Sequence, residues 1–284
     1  MYISINMLTL FEAVIIGSIQ GITEWLPISS KAMTSLVMIK FFGKTLSEAL
    51  PMAIWMQIGT LLASAIYFRK EINKILKRLP VYFSETILGN KSGKKSNLKK
   101  EENEEDSLIS FLIIATFMTG IIGVPIMLFV VEEAQLSGDA ATAVIGIFLI
   151  VTGILQRVSA NVKSTKKLPS TKDAFIVGLG QGFAALPGIS RSGTTTGLFL
   201  FRKFDSENAL RYSYLMSIPA VLGAEIVLQI TDIIKVDFAS ILAIVFSFVF
   251  GLLTISTFLK VAKKVNFSSF CIILGLLSIL SLFL

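Results

Sequence analysis

Six runs of mostly apolar residues dominate the chain: Leu46–Phe68, Ser107–Val131, Ala140–Gln156, Ser206–Ile230, Phe238–Leu259 and Phe267–Leu284. Each has the length, roughly 17–25 residues, that carries a helix across a hydrocarbon layer. Backbone groups in lipid must pair within their own segment or in a closed barrel, and these runs are too long for barrel strands. Spanning helices are therefore the expected element. Composition agrees, with 54% hydrophobic and only 16% charged residues, against about 25% charged in soluble domains. The expected class is an all-α polytopic membrane protein, one membrane domain over residues 1–284. No basic region precedes the first apolar stretch and no small-residue cleavage site follows it, so no signal peptide is expected.

Net charge is +7, and the basic residues gather at Arg69–Lys100, Arg157–Lys172 and Lys260–Lys264. These clusters lie between apolar segments, which argues against nucleic acid and for cytoplasmic loops under the positive-inside rule. The acidic stretch Glu132–Asp139 and the stretch Thr231–Asp237 then fall outside. The charged segment Asn90–Asp106 reads as a solvated linker. There is no histidine, so the commonest general base and zinc ligand is missing. Cys271 is the only cysteine, which leaves no intrachain disulfide.

Two further apolar regions, Leu8–Lys40 and Ala174–Arg202, are broken by Gly21, Pro27 and serines, and by Pro187, Gly188 and Ser190–Ser192. Each is too long for one helix and too short for two spans, so each is expected to form a re-entrant hairpin of half-helices. Irregular backbone at that depth is tolerated only beside protein or a watery cavity. The full expectation is six transmembrane helices plus two re-entrant hairpins. The first repeat covers 1–157, with a cytoplasmic loop at 69–106, and the second covers 174–284. Three spans per half turn the second half upside down, giving an inverted-topology repeat whose broken helices meet near the midplane.

The breaks hold the residues suited to chemistry. In "QGITEWLPISS" (Gln20–Ser30), Glu24 is an ionisable group inside an apolar segment, a functional candidate by default. Ser29 and Ser30 open the next half-helix, where a serine also serves as a cap. In "QGFAALPGISRSGTTT" (Gln181–Thr196), Arg191 offers a planar fork of donors suited to phosphate. Ser190, Ser192, Thr194 and Thr195 surround it at a helix start, where free N–H groups attract anions. Arg191 could equally pair with Glu24 across the repeat axis, and such a pair can hold a site ready for ligand. Gln57 and Glu225, inside other spans, either line the cavity or pair between helices. One carboxylate, one arginine and several hydroxyls at membrane depth suit a phosphate-bearing lipid.

At these phrases, and at "MQIGTLLASAIYFRK", "YLMSIPAVLGAE" and "STFLKVAKKVNF", the chain resembles the undecaprenyl-diphosphatase family, the bacitracin-resistance type of integral membrane phosphatase. The resemblance covers nearly the whole chain. It implies removal of the terminal phosphate from a C55 polyprenyl diphosphate, which recycles the lipid carrier for cell-envelope glycan synthesis and gives bacitracin resistance. It also implies metal dependence, a multi-pass place in the plasma membrane and a site facing outside. By position, the motif glutamate and serine are Glu24 and Ser30. The phosphate-binding serine, arginine and threonine are Ser190, Arg191 and Thr195, with Ser29 and Ser192 beside them. Two positions depart: Gln20 stands where the family often has glutamate, and Met33 where it often has histidine.

The expected mechanism uses Mg2+ or Ca2+, held by Glu24, with Gln20 at the neighbouring metal position, and by the diphosphate. Arg191, Ser190 and Thr195 hold phosphate. Ser30 attacks with Glu24 as its base, or water attacks instead. The alternative is transport of polyprenyl phosphate or a related anionic lipid, since the inverted repeat is a transporter architecture. A homodimer is compatible with the sequence, which leaves the oligomeric state open.

Overall fold

In the computed structural model, which describes residues 8–87, 99–133, 136, 138–159, 166–234 and 236–283, the elements are helical throughout the described chain apart from one isolated bridge, Lys166 to Phe204. The helices are α1 (Leu10–Thr23), α2 (Ser30–Phe42), α3 (Leu46–Trp55), α4 (Gln57–Tyr67), α5 (Arg69–Ile87), α6 (Lys99–Glu133), α7 (Gly138–Ser159), α8 (Thr171–Gly182), α9 (Arg191–Phe201), α10 (Ser206–Ile230), α11 (Phe238–Lys264) and α12 (Ser268–Leu280). A short 3-10 turn, Phe183–Ala185, follows α8.

Among the described residues, five stretches are long and apolar enough to cross a membrane: Leu46–Tyr67, Glu104–Val131, Gly138–Ser159, Ser206–Ile230 and Phe238–Lys264. The sixth expected run is also helical but falls short of that length. The final run, expected to continue to Leu284, forms a helix of only 13 residues that turns out of helix at Ser281, about 20 Å at 1.5 Å per residue. Arg69–Ile87, expected within a loop, is instead the amphipathic helix α5. Ile72 and Ile75 lean on the core, and Arg78 pairs with Glu85 and Asp106. The acidic end of the expected linker, from Lys99 on, is the start of α6. Residues 88–98, 134, 135 and 137 lie outside the described residues.

Large apolar side chains cover the outside, among them Phe117, Phe129, Val151, Ile226, Leu253 and Ile273. Polar groups such as Gln20, Glu24, Ser190 and Thr195 are buried instead. This arrangement suits a lipid surround, which solvates hydrocarbon and leaves backbone and polar groups to be paired inside.

Both broken regions start on the same device. Thr9 and Glu12 form a capping box at α1, and Ser170 and Asp173 form one at α8. Each first half-helix then packs through a Gly-xxx-Gly pair. A Cβ on Gly17 would lie 2.3 Å from the Ala243 carbonyl oxygen of α11, and one on Gly178 would lie 2.7 Å from the Ala115 oxygen of α6. Gly21 and Gly182 sit one turn on, equally closed in. Small residues allow such close backbone approach, which drives packing where lipid offers no hydrophobic force. α7 and α12 meet likewise at Gly146 and Gly275.

Candidate active site

Thr23 ends α1, Glu24 caps it with an N–H bond to Gln20 O, and Trp25–Ser29 cross to α2 outside the helices. That backbone is buried, so its carbonyls need donors. They come from distant elements. Tyr214 Oη donates to Trp25 O at 2.7 Å, Ser192 Oγ to Leu26 O at 3.3 Å, and Gln156 Nε2 to Pro27 O at 2.6 Å. In the second break, Thr152 Oγ1 donates to Gly188 O and accepts from the Ser190 N–H, at 3.1 and 3.0 Å. Gly188 has φ +102°, and a Cβ there would strike Ile145 O at 2.5 Å, so only glycine fits.

These supports bring the two breaks face to face. Arg191 Nη2 donates to Glu24 Oε1, and the pair is mostly buried, with 11% and 5% side-chain exposure. The other carboxylate oxygen, Glu24 Oε2, accepts from Ser30 Oγ at 2.5 Å and from Gln20 Nε2 at 2.7 Å. The Arg191 guanidinium also lies over the Tyr214 ring, 5.9 Å from its centroid. A small cavity of about 10 Å³ is lined by Glu24, Ser29, Ser30, Ser190, Arg191 and Ser192, together with Lys31 and Gln57.

Three buried polar atoms there have no partner: Nε and Nη1 of Arg191, and Oε1 of Gln20. Leaving such groups unpaired costs about 1–3 kcal/mol each. Arg191 therefore holds unused donors that are themselves buried.

The predicted residues divide. Ser29 is the N-cap of α2, accepting from Ala32 N while holding a φ of 65°. Ser190 is the N-cap of α9, accepting from Gly193 N at 3.1 Å. Both still line the cavity, as does Ser192. Thr195 does not: its hydroxyl bonds to Arg191 O at 2.8 Å and to Ser213 Oγ at 2.5 Å, away from the cavity. Glu225 is buried with both carboxylate oxygens unpartnered, and it lines neither this cavity nor the groove beside it. Among the described residues no group of three or more His, Cys, Asp or Glu side chains gathers as a metal cluster. Oxygen donors near Glu24 are its own carboxylate, the free Gln20 Oε1 and Ser30.

Sequence reading passed over Lys31. Its Nζ reaches across to Ala184 O in the second hairpin. The signal was present, because a lysine one residue inside an apolar half-helix is as costly as Glu24. Next to the polar cavity runs an apolar groove of about 280 Å³ between α6, α8 and α10, walled by Gly120, Gly123, Met127, Ala185, Ala220 and Ala224.

Comparison with known sequences decides the family. The family model described as bacitracin resistance protein BacA matches residues 13–280. The chain belongs to this family. It is 52% identical to the undecaprenyl-diphosphatase of Methanococcoides burtonii, over 98% of this chain and all of that one. It is 36% identical to the undecaprenyl-diphosphatase of Methanothrix thermoacetophila, over 94% and 95% of the two chains. The protein of that name from Methanopyrus kandleri is 37% identical over 95% of both.

Proposed function

We propose that the chain is a membrane phosphatase that hydrolyses undecaprenyl diphosphate, or a close polyprenyl relative, to the monophosphate and inorganic phosphate. The single observation that carries it to this site is Arg191, whose Nε and Nη1 are buried without a partner and which lines one cavity with Ser30 and Glu24. A phosphate entering here takes over those donors and competes with Glu24 for the third. The relatives named above all bear the name of the phosphatase, and the transport reading has no observation of its own.

In this reading Glu24 Oε2 takes the proton of Ser30 Oγ, which attacks the terminal phosphorus. The bond to the bridging oxygen breaks and the lipid monophosphate leaves. Water then hydrolyses the phosphoserine and frees inorganic phosphate. Arg191 stabilises charge on the transferring group, and fixed charge of this kind does most to lower the barrier to phosphoryl transfer. Ser29, Ser190 and Ser192 line the phosphate seat, and Thr195 fixes the first turn of α9 from behind. Glu24, Gln20 Oε1 and substrate oxygens would hold a Mg2+ or Ca2+ ion, since both take oxygen ligands and Mg2+ commonly binds through one or two carboxylates plus substrate phosphates. Such an ion would neutralise diphosphate charge.

The proposed layout is six crossings, α12 and its tail being the sixth, with two re-entrant hairpins, in repeats 1–157 and 174–284. The packing supports it: α1 lies on α11 as α8 lies on α6, and α4 lies on α11 as α10 lies on α6. The basic clusters argue for a cytoplasmic end at Arg69 and Lys260–Lys264. The groove residues Thr116–Met127 and Pro219–Val227 lie towards the opposite ends of α6 and α10, which favours lipid entry from the outer leaflet.

The test is phosphate release from C55 polyprenyl diphosphate by purified protein in detergent, with Mg2+, Ca2+ or chelator. Release that falls with chelator supports the metal. Trapping of a phosphorylated Ser30 in an acid quench supports the serine, whereas full activity in Ser30→Ala assigns the attack to water.

A further inference from the structure

We propose that Lys31 is a second catalytic cation, which holds the phosphate that stays on the lipid while Arg191 holds the phosphate that leaves. The proposal rests on the phosphatase reading above.

Lys31 is 8% exposed and follows Ser30 in the first turn of α2. Lys31, Gln57 and Arg191 line both the polar cavity and the apolar groove. They therefore mark the junction between the two spaces. A lipid diphosphate with its chain in the groove must pass this junction. The phosphate esterified to the chain comes to rest on the groove side, and the terminal phosphate beyond it, beside Ser30 and Arg191.

Two of the three junction residues are cations, while the cavity offers one carboxylate, Glu24, already paired with Arg191. A bond to the Ala184 carbonyl needs only a neutral donor, and a lysine at this depth is expensive. The surplus charge is explained by an anion with a second phosphate. When Ser30 Oγ bonds to the terminal phosphorus, the electron pair of the broken bond passes to the bridging oxygen of the departing lipid monophosphate. A fixed ammonium beside that oxygen offsets the charge as it develops and needs no reorganisation. The proton released by Ser30 goes to Glu24, so Lys31 remains an ammonium throughout.

The experiment compares inhibition of purified wild type, Lys31→Met and Lys31→Arg by each product separately, using polyprenyl monophosphate and inorganic phosphate. Lys31→Met should weaken inhibition by the lipid monophosphate roughly tenfold or more. It should leave inhibition by inorganic phosphate within about twofold, with kcat reduced. Lys31→Arg should recover most of the loss. Arg191→Lys should give the reverse pattern, a larger loss for inorganic phosphate. If Lys31→Met does not fold, Lys31→Gln against Lys31→Arg makes the same comparison. Unchanged monophosphate inhibition overturns the assignment. So does equal weakening of both products, which means that Lys31 only braces the hairpins. A folded wild type that releases no phosphate is a separate outcome; it sinks the phosphatase reading and this assignment with it.

Discussion

The two hairpins keep step from their capping boxes to their breaks. Thr9 and Glu12 match Ser170 and Asp173, Gly17 and Gly21 match Gly178 and Gly182, Gln20 matches Gln181, and the caps Ser29 and Ser190 open the second half-helices. Counted from those caps, they part at the break. Glu24 stands where the second hairpin has Ala185, Ser30 where it has Arg191, and Lys31 where it has Ser192. Shared positions carry packing and helix ends. The divergent ones carry the carboxylate, the hydroxyl and the two cations that face each other across the break. The matched positions build a common scaffold, and the few unmatched ones supply complementary charge.

The sharpest way to break this comparison is to remove chemistry from one hairpin only. Arg191→Ala should lower kcat/KM about 10³-fold, while Phe183→Leu, exposed in the same hairpin and outside both the cavity and the groove, should change it less than about threefold. A large loss from the leucine would mean that the chemistry is not confined to the divergent positions. Packing should respond more evenly. Gly17→Val and Gly178→Val each drive a side chain into a carbonyl of the facing helix and should cost about 3 kcal/mol, read as matching losses of thermal stability in detergent. A loss in one alone would show that the scaffold is not shared. Tyr214→Phe leaves the buried Trp25 carbonyl without its donor and should cost about 1 kcal/mol. At the small end, Lys263→Ala removes an exposed pair with Glu207 and should leave the thermal midpoint unchanged.

How much of this was legible in the sequence follows the cost of each residue in lipid. Glu24 and Arg191 are expensive inside apolar runs, so each pointed to the site and to the other. Lys31 carried the same signal, masked by its place beside Ser29 and Ser30, which drew attention as a cap. Thr195 illustrates the opposite limit. Its place one turn beyond Arg191 puts it near the site, but a threonine in a helix readily bonds the carbonyl four residues back, and here it does so. Which way a hydroxyl rotates is decided by Ser213, from another helix. The length of the last helix was hidden for a similar reason: apolar residues continue to Leu284, yet hydropathy does not say where helix pairing stops. α5 escaped notice as a helix because its charge was read before its period, although Ile72 and Ile75 already marked one face.

Glu24 and Arg191, one from each hairpin, are held to act on one phosphate, and everything else about the site depends on that. The most direct measurement is phosphate release from C55 polyprenyl diphosphate by folded wild type, Glu24→Gln and Arg191→Ala, each matched for thermal stability. Steady release by the wild type and near-complete loss in both variants is the expected result. Release that persists in either folded variant would contradict it, since the pair would then hold the hairpins together without taking part in the reaction.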